Sequence, residues 1–154
     1  MSDTLQEIIF RTAQPSDWSK LSALLTQAKL PLAGAQEHLS GFLLAFRGDE
    51  LIGSVCVERY GQDGLLRSVA VAESQRGQQL GSALVERTLV DAKQQGLAHL
   101  VLLTETAEAF FARFGFRRIA RADAPVAVQS SVEFQSVCPQ SAVAMLLDLK
   151  RETD

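Results

Sequence analysis

The residues best suited to chemistry lie in or beside the stretch Leu65 to Leu84, LLRSVAVAESQRGQQLGSAL. It reads as a short apolar strand, a polar turn, a glycine-bearing loop from Arg76 to Gly81, and a helix. A strand that runs through such a loop into a helix aims several backbone N–H groups at one point. The helix dipole adds partial positive charge there, which suits a phosphate. The alternative is an ordinary strand-to-helix turn with two glycines. Neither G-x-G-x-x-G nor G-x-x-x-x-G-K-[ST] occurs, so the loop is not of the dinucleotide-binding or Walker type. Arg67 precedes the apolar run SVAV on a strand expected to be central, where a charge needs a partner. That partner is either an internal carboxylate such as Glu58 or the carboxylate of an acidic substrate, which the guanidinium fork suits. Cys138 reads as a small packed residue and not a nucleophile, because no histidine accompanies it.

The elements that must position these groups can be traced in order. Residues 7–12 form a first strand. Pro15, Ser16 and Asp17 open a helix whose stripe is Trp18, Leu21, Leu24, Leu25 and Ala28, and Leu30-Pro31 stops it. Residues 33–41 are short and mixed. Strands 42–46 and 51–60 flank the hairpin turn 47–50, and the turn 61–64 leads to strand 65–71, giving an antiparallel meander. A helix over 78–95 buries Leu80, Leu84, Val85, Thr88, Leu89 and Ala92, with Gly96 as its stop. The apolar run Leu100–Leu103 lies in strand 99–104, which the β-α-β connection makes parallel to strand 65–71. Thr106 caps a helix carrying Ala107, Phe110, Phe111 and Phe114, ended by Gly115, and a strand follows at 116–119. The connection 120–141 holds one short helix, and 142–149 is the closing strand. The fold class is therefore α/β with a mixed α+β sheet of about seven strands and helices on both faces, in a single domain over 1–154.

Composition excludes several classes of partner. The chain has 154 residues, 47% hydrophobic and 21% charged, with a formal charge of −3. No run of like charges exists to grip a nucleic-acid backbone. No apolar stretch reaches the roughly 18 residues of a membrane span, and MSDTLQE has no basic or apolar signal-peptide region. Cys56 and Cys138 are far apart with no CxxC, so neither a disulfide framework nor a metal site is expected, and the expected location is cytoplasmic.

The order hairpin strand, SVAV, RGQQLG, amphipathic helix, LVLLT, Phe-rich helix and Gly-Phe resembles the general N-acetyltransferase (GNAT) superfamily of acyl-CoA-dependent transferases. The resemblance spans nearly the whole chain and is strongest over residues 65–119. Arg76 and Gly81 fill the ends of the family's [RQ]-x-x-G-x-[GA] loop signature, whereas Gln79 replaces its middle glycine and Gly77 lies two positions earlier. The resemblance implies acetyl-CoA as co-substrate and no metal. It implies that N–H groups of Gln78, Gln79, Leu80, Gly81 and Ser82 receive the pyrophosphate, in the loop opened by Arg76 and Gly77. Backbone at Val69, Ala70 and Val71 would dock the pantetheine arm as an added strand. The acetyl group would lie where strands 65–71 and 99–104 separate, and the N–H at Val69 would help polarise the thioester carbonyl. Many members place a Tyr four residues before the glycine that ends the Phe-rich helix; here that position is Phe111. A Phe cannot protonate the departing thiolate, but a thiol with a pKa of about 8.5 leaves readily without help.

An attacking amine must be neutral, so a base is wanted. Glu58, on one strand face with Cys56 and Tyr60, is the candidate, set against a solvated strand-end Glu; Glu105 is a weaker choice. Arg67 would orient the acceptor. Ser68 and Thr104 would orient substrate or satisfy nearby backbone, and Glu37 and His38 would wall the acceptor pocket or simply be surface. The runs LLRSVAV, LLTETAEAFFARFGFRR and EFQSVCPQSAVAM resemble more narrowly the small bacterial acetyltransferases associated with arsenic-resistance genes, relatives of the acetyltransferase domain of N-acetylglutamate synthase. This implies direct acetyl transfer to the amine of a small, amino-acid-like acceptor. The rivals are an N-acetylglutamate synthase-type enzyme and a non-catalytic acyl-CoA-binding domain. A homodimer is the candidate assembly.

Overall fold

The computed structural model describes residues 7–77, 79–137 and 141–149; Gln78, Cys138 and the N-terminal residues 1–6 fall outside them. Strands β1 (Ile8–Thr12), β2 (Phe42–Arg47), β3 (Glu50–Tyr60), β4 (Asp63–Val71), β5 (His99–Thr104), β6 (Arg117–Ile119) and β7 (Val143–Asp148) form one sheet in the order β1-β2-β3-β4-β5-β7-β6. The helices are α1 (Trp18–Gln27), α2 (Leu80–Gln94), α3 (Glu108–Ala112) and α4 (Val126–Gln129). The sheet is mixed: β4 and β5 run parallel, whereas β1–β2, β2–β3, β5–β7 and β6–β7 are antiparallel. The α/β class and the seven strands expected from the sequence are thus present.

The chain divides into two compact units, Met1–Cys56 with Ser68–Thr88, and Val57–Arg67 with Leu89–Asp154. In the first, the α1 stripe supplies Leu21, Leu24 and Leu25 to a core shared with Phe42, Leu44, Phe46, Leu51, Cys56 and Ala70. Trp18 and Ala28 pack against it partly buried. The entry to α1 is a short 3-10 turn, Pro15–Asp17. Asp17 accepts both guanidinium nitrogens of Arg11 at 2.8 and 2.9 Å and the Gln14 N–H at 2.8 Å. The Arg11 hydrogen bonds hold its carboxyl below the usual carboxylate range, with burial opposing and the Gln14 N–H assisting. Gly53 lets α2 lie close to β3: a Cβ there would stand 2.8 Å from Leu84 Cδ1 and 3.1 Å from Leu80 Cδ2.

In the second unit, Leu65, Val101, Ala124, Val128 and Leu146 form a core, with Tyr60, Ile119 and Phe134 against it. The closing strand β7 inserts between β5 and β6, an order that strand periodicity does not determine.

Several boundaries differ from expectation for identifiable reasons. Asp63 and Gly64 belong to β4 and not to a turn, because they pair with His99 and Leu100. Gly64 there has no room for a side chain, since a Cβ would meet Leu100 Cδ2 and Val57 Cγ1 at 2.9 Å. Helix α2 runs over Leu80–Gln94 where 78–95 was expected, Gln78 lying outside the described residues. Thr106 does not cap α3. The N–H of Ala107 donates instead to the Thr104 hydroxyl at 3.0 Å, and the helix is only five residues long. The connection 120–141 holds a 3-10 turn (Arg121–Asp123), α4 and a π turn (Glu133–Val137), where one short helix was expected. Such single turns are too short for hydrophobic periodicity to mark.

Candidate functional site

The first unit carries the loop and the strand that leads to it. Past Val71 the chain makes a 3-10 turn, Glu73–Gln75, and Ala72 N–H donates to Ile52 O at 2.8 Å, tying the loop's start to β3. Arg76 is exposed and its Nε lies 3.4 Å from Val71 O. Gly77 adopts φ +84° and Gln79 φ +66°. The Gln79 carbonyl accepts from Ala83 N–H at 3.1 Å, so the N–H groups of Leu80, Gly81 and Ser82 precede the first bond of the helical ladder. Three adjacent N–H groups at the positive end of a 15-residue helix are suited to an anion.

Gln79 is informative because it stands where the resemblance expects glycine and adopts the left-handed conformation that glycine takes freely. A side chain there costs about 1–2 kcal/mol, against the roughly 0.5–1 kcal/mol of extra backbone entropy that glycine loses on folding. Gln79→Gly should therefore stabilise the fold by up to about 1 kcal/mol, which for this size raises Tm by about 2–4 °C. Thermal unfolding checks it, and a lowered Tm would show that the Gln side chain contributes more than its backbone costs.

Strand β4 contains a second irregularity. Ser68 has φ +61° in the middle of a strand, and its carbonyl accepts the Ser54 hydroxyl at 2.8 Å. Beyond it Ala70 is buried, whereas Val69 and Val71 are half-buried. Glu37 is exposed on a 3-10 stretch, Gln36–Gly41. His38, half-buried on the same stretch, places Nδ1 2.9 Å from Gly34 O.

The second unit carries a buried ionic cluster. Arg67 Nη1 donates to Glu58 Oε2 at 2.9 Å, and Arg67 Nε lies 3.3 Å from Glu133 Oε2. The Tyr60 hydroxyl donates to Glu58 Oε1 at 2.5 Å. Glu58, Arg67 and Glu133 are 1%, 3% and 4% exposed, while Tyr60 is half-buried and reaches the surface. Alternation along β3 brings Glu58 and Tyr60 to one face, as their spacing suggests. Arg67 thus meets the internal carboxylate Glu58, one of the two partners the sequence leaves open. Glu133 comes from the π turn and carried no sequence signal, since nothing local marks a Glu as buried.

Thr104, half-buried, spends its hydroxyl on the Ala107 N–H. Glu105 is exposed and accepts from Ser141 Oγ at 2.8 Å. Phe111 is buried, edge-on to Phe110 at 5.0 Å and to Phe116 at 5.9 Å, while Phe110 and Phe114 are half-buried. Among the described residues no group of three His, Cys, Asp or Glu side chains is placed to hold a metal ion. Among them, too, no helix is long and apolar enough to cross a membrane.

Known proteins with this architecture are numerous. N-acetylglutamate synthase from Neisseria gonorrhoeae, solved with coenzyme A and N-acetyl-glutamate, has a TM-score of 0.80 at 18% identity over 94% of this chain. This chain spans only 36% of that protein. Rv2747 from Mycobacterium tuberculosis, solved with CoA, gives a TM-score of 0.73 at 25% identity over 91% of this chain and 98% of its own. A GNAT-family acetyltransferase from Staphylococcus aureus gives 0.74 at 19% identity over 94% and 100%. No curated protein matches the sequence. Residues 5–116, which carry β1 to β5, the helix-opening loop and α3, match the family described as Acetyltransferase (GNAT) family. The match covers well over half of the chain and includes the Arg76–Ser82 loop, so this protein belongs to the GNAT acetyltransferase family.

Proposed function

We propose that residues 1–154 act as one cytoplasmic N-acetyltransferase domain that uses acetyl-CoA to acetylate the amine of a small, amino-acid-like acceptor by direct attack. The observation that carries this is the run from β4 through Arg76–Gln79 into α2, which presents the N–H groups of Leu80, Gly81 and Ser82 ahead of the helical ladder. Rv2747, 25% identical to this chain and solved with CoA, supports the choice of ligand. In this reading the loop receives the pyrophosphate through backbone at Gln78 to Ser82. The edge from Val69 through Ala70 to Val71 docks the pantetheine arm, and Phe111, at the position of the family's Tyr, is the further residue proposed for the cofactor. The Val69 N–H polarises the thioester carbonyl. Glu58 takes the surplus proton of the protonated amine; as the neutral nitrogen then bonds to the carbonyl carbon, the C–S bond breaks and the proton the nitrogen sheds passes through water to the departing thiolate.

Because Glu58 is buried and Tyr60 reaches the surface, the route for the surplus proton is the Tyr60 hydroxyl, which hands its own proton to Glu58 Oε1 as it accepts the incoming one. Arg67 then acts first by fixing Glu58. A direct grip on an acceptor carboxylate would require it to exchange Glu58 or Glu133. Ser68, Thr104, Glu37 and His38 are the further residues proposed to face the acceptor.

A CoA-release assay over amino acids, amino-acid-like organoarsenicals, polyamines and peptides tests the reading. Turnover with an amino-acid-like amine is expected, and organoarsenical preference would place the enzyme in arsenic detoxification. Preference for glutamate, the amino acid whose acetylated form the Neisseria synthase was solved with, would make it synthase-type. Acetyl-CoA binding with no release across the panel would make it a non-catalytic binding domain. Light scattering decides whether it is a homodimer.

A further inference from the structure

We infer that Ser54 is a positioning residue for the transfer step: its buried hydroxyl fixes the peptide plane that carries the Val69 N–H. This rests on the acetyl-CoA reading above, in which that N–H polarises the thioester carbonyl. Ser54 is fully buried on β3 between Gly53 and Val55, and its strand neighbours Leu51, Ile52, Val55 and Cys56 are buried and apolar. A hydroxyl in such a strand is costly unless it is hydrogen-bonded. Its partner is not a side chain or its own backbone but the carbonyl of Ser68, fourteen residues along, at 2.8 Å.

That carbonyl belongs to the strained residue of β4. Ser68 is a non-glycine residue at φ +61°, a strained conformation that persists only where the surroundings over-determine it. The Ser54 bond is one such restraint. The Ser68 carbonyl and the Val69 N–H are two ends of one peptide unit, and the described chain has no cis peptide bonds. In a planar trans peptide the N–H points opposite to the C=O. Anchoring the carbonyl on the Ser54 hydroxyl therefore aims the Val69 N–H away from that hydroxyl and prevents the plane from rotating. A hydrogen bond received at the carbonyl also polarises the amide and strengthens its N–H as a donor. Ser54 itself is held firmly. It stands opposite Leu44 in the β2–β3 ladder, next to Gly53 over which Leu80 and Leu84 pack. An oxyanion donor works only if it is pre-aimed, and this arrangement supplies the aim from a rigid strand.

The test compares the wild type with Ser54→Ala and Ser54→Thr, using acetyl-CoA labelled with carbon-13 at the thioester carbonyl. In difference infrared spectra the wild-type complex should show the carbonyl band lowered relative to free acetyl-CoA. Ser54→Ala should move the band most of the way back. It should lower kcat about 10-fold with the most active amine of the panel, while calorimetric CoA affinity stays within about twofold. Ser54→Thr, which keeps the hydroxyl, should restore band and rate. A lowered band and unchanged kcat in Ser54→Ala would overturn the role of Ser54 and leave the acetyl-CoA reading standing. A wild type that binds acetyl-CoA with no band shift, or does not bind it, would overturn that reading and this inference with it. Should Ser54→Ala fail to fold, Ser54→Cys, a weaker donor of nearly the same shape, is expected to give an intermediate band, and a wild-type band in it would count against the role.

Discussion

Replacing Glu58 with Gln is expected to lower kcat about 100-fold at neutral pH, the range over which a positioned base contributes, and much less at high pH. The substitution preserves shape and leaves one carbonyl oxygen to accept from either Tyr60 or Arg67, which now reach Oε1 and Oε2 at 2.5 and 2.9 Å. Arg67 keeps Glu133 at 3.3 Å, so the fold should survive. What is lost is the acceptor for the amine proton. An amine with a pKa of about 8–10 is mostly protonated at pH 7 and neutral well above it. The deficit should therefore narrow steadily as pH rises past the amine's own pKa, and a pH–rate profile measures it. A Glu58→Gln profile parallel to the wild type at every pH would exclude Glu58 as the base. Tyr60→Phe separates the two routes. It leaves Glu58 in place and removes the hydroxyl that donates to Oε1, so a neutral-pH loss with the same narrowing would show that the proton travels through Tyr60. A wild-type profile would mean that it reaches Glu58 directly.

How far the sequence foretold these residues depended on whether local pattern or distant chain decided them. The β2–β3 hairpin, the parallel β4–β5 pairing and α2 follow from periodicity and connection rules, and the α1 stripe packs as its spacing dictates. The loop was legible because glycines and a helix start leave a local mark. The Arg67–Glu58 contact was open but anticipated, since a charge on a central strand must find a partner and β3 is the neighbouring strand. Glu133 was not legible: it reaches Arg67 from a π turn far along the chain, inside a connection with no clear period. Nor was the left-handed Ser68. Nothing in SVAV distinguishes a straight strand from one with a residue at φ +61°, and the Ser54 hydroxyl that meets its carbonyl lies fourteen residues away on another strand. The insertion of β7 between β5 and β6 is likewise a property of the assembled sheet and not of the strand's own residues.

Arg67→Ala should damage the fold severely, costing about 3–5 kcal/mol, because it strips a buried guanidinium from two buried carboxylates. Its side chain is fully enclosed, and Glu58 and Glu133 lose the cation that now stands 2.9 and 3.3 Å away, although Glu58 keeps the Tyr60 hydroxyl. Against a total stability of about 5–15 kcal/mol for a domain, that is a large share. Urea unfolding measures it, and a loss below about 1 kcal/mol would mean that the cluster is solvated and relaxes freely. The cost comes from the stranded carboxylates and not from lost packing. Arg67→Met combined with Glu58→Gln and Glu133→Gln should therefore recover most of the stability while remaining inactive. Arg67→Lys isolates the functional part. It keeps a cation beside Glu58 but loses the fork that holds Nε and Nη1 on different carboxylates at once. If Arg67 fixes Glu58, the Lys variant should fold, bind CoA as the wild type does, and lose kcat with the altered pH profile of Glu58→Gln. If Arg67 instead grips the acceptor directly, the loss should fall on the acceptor KM with the pH profile unchanged. Those two signatures differ because a base is needed only while the amine carries a proton, whereas a carboxylate grip is needed at every pH.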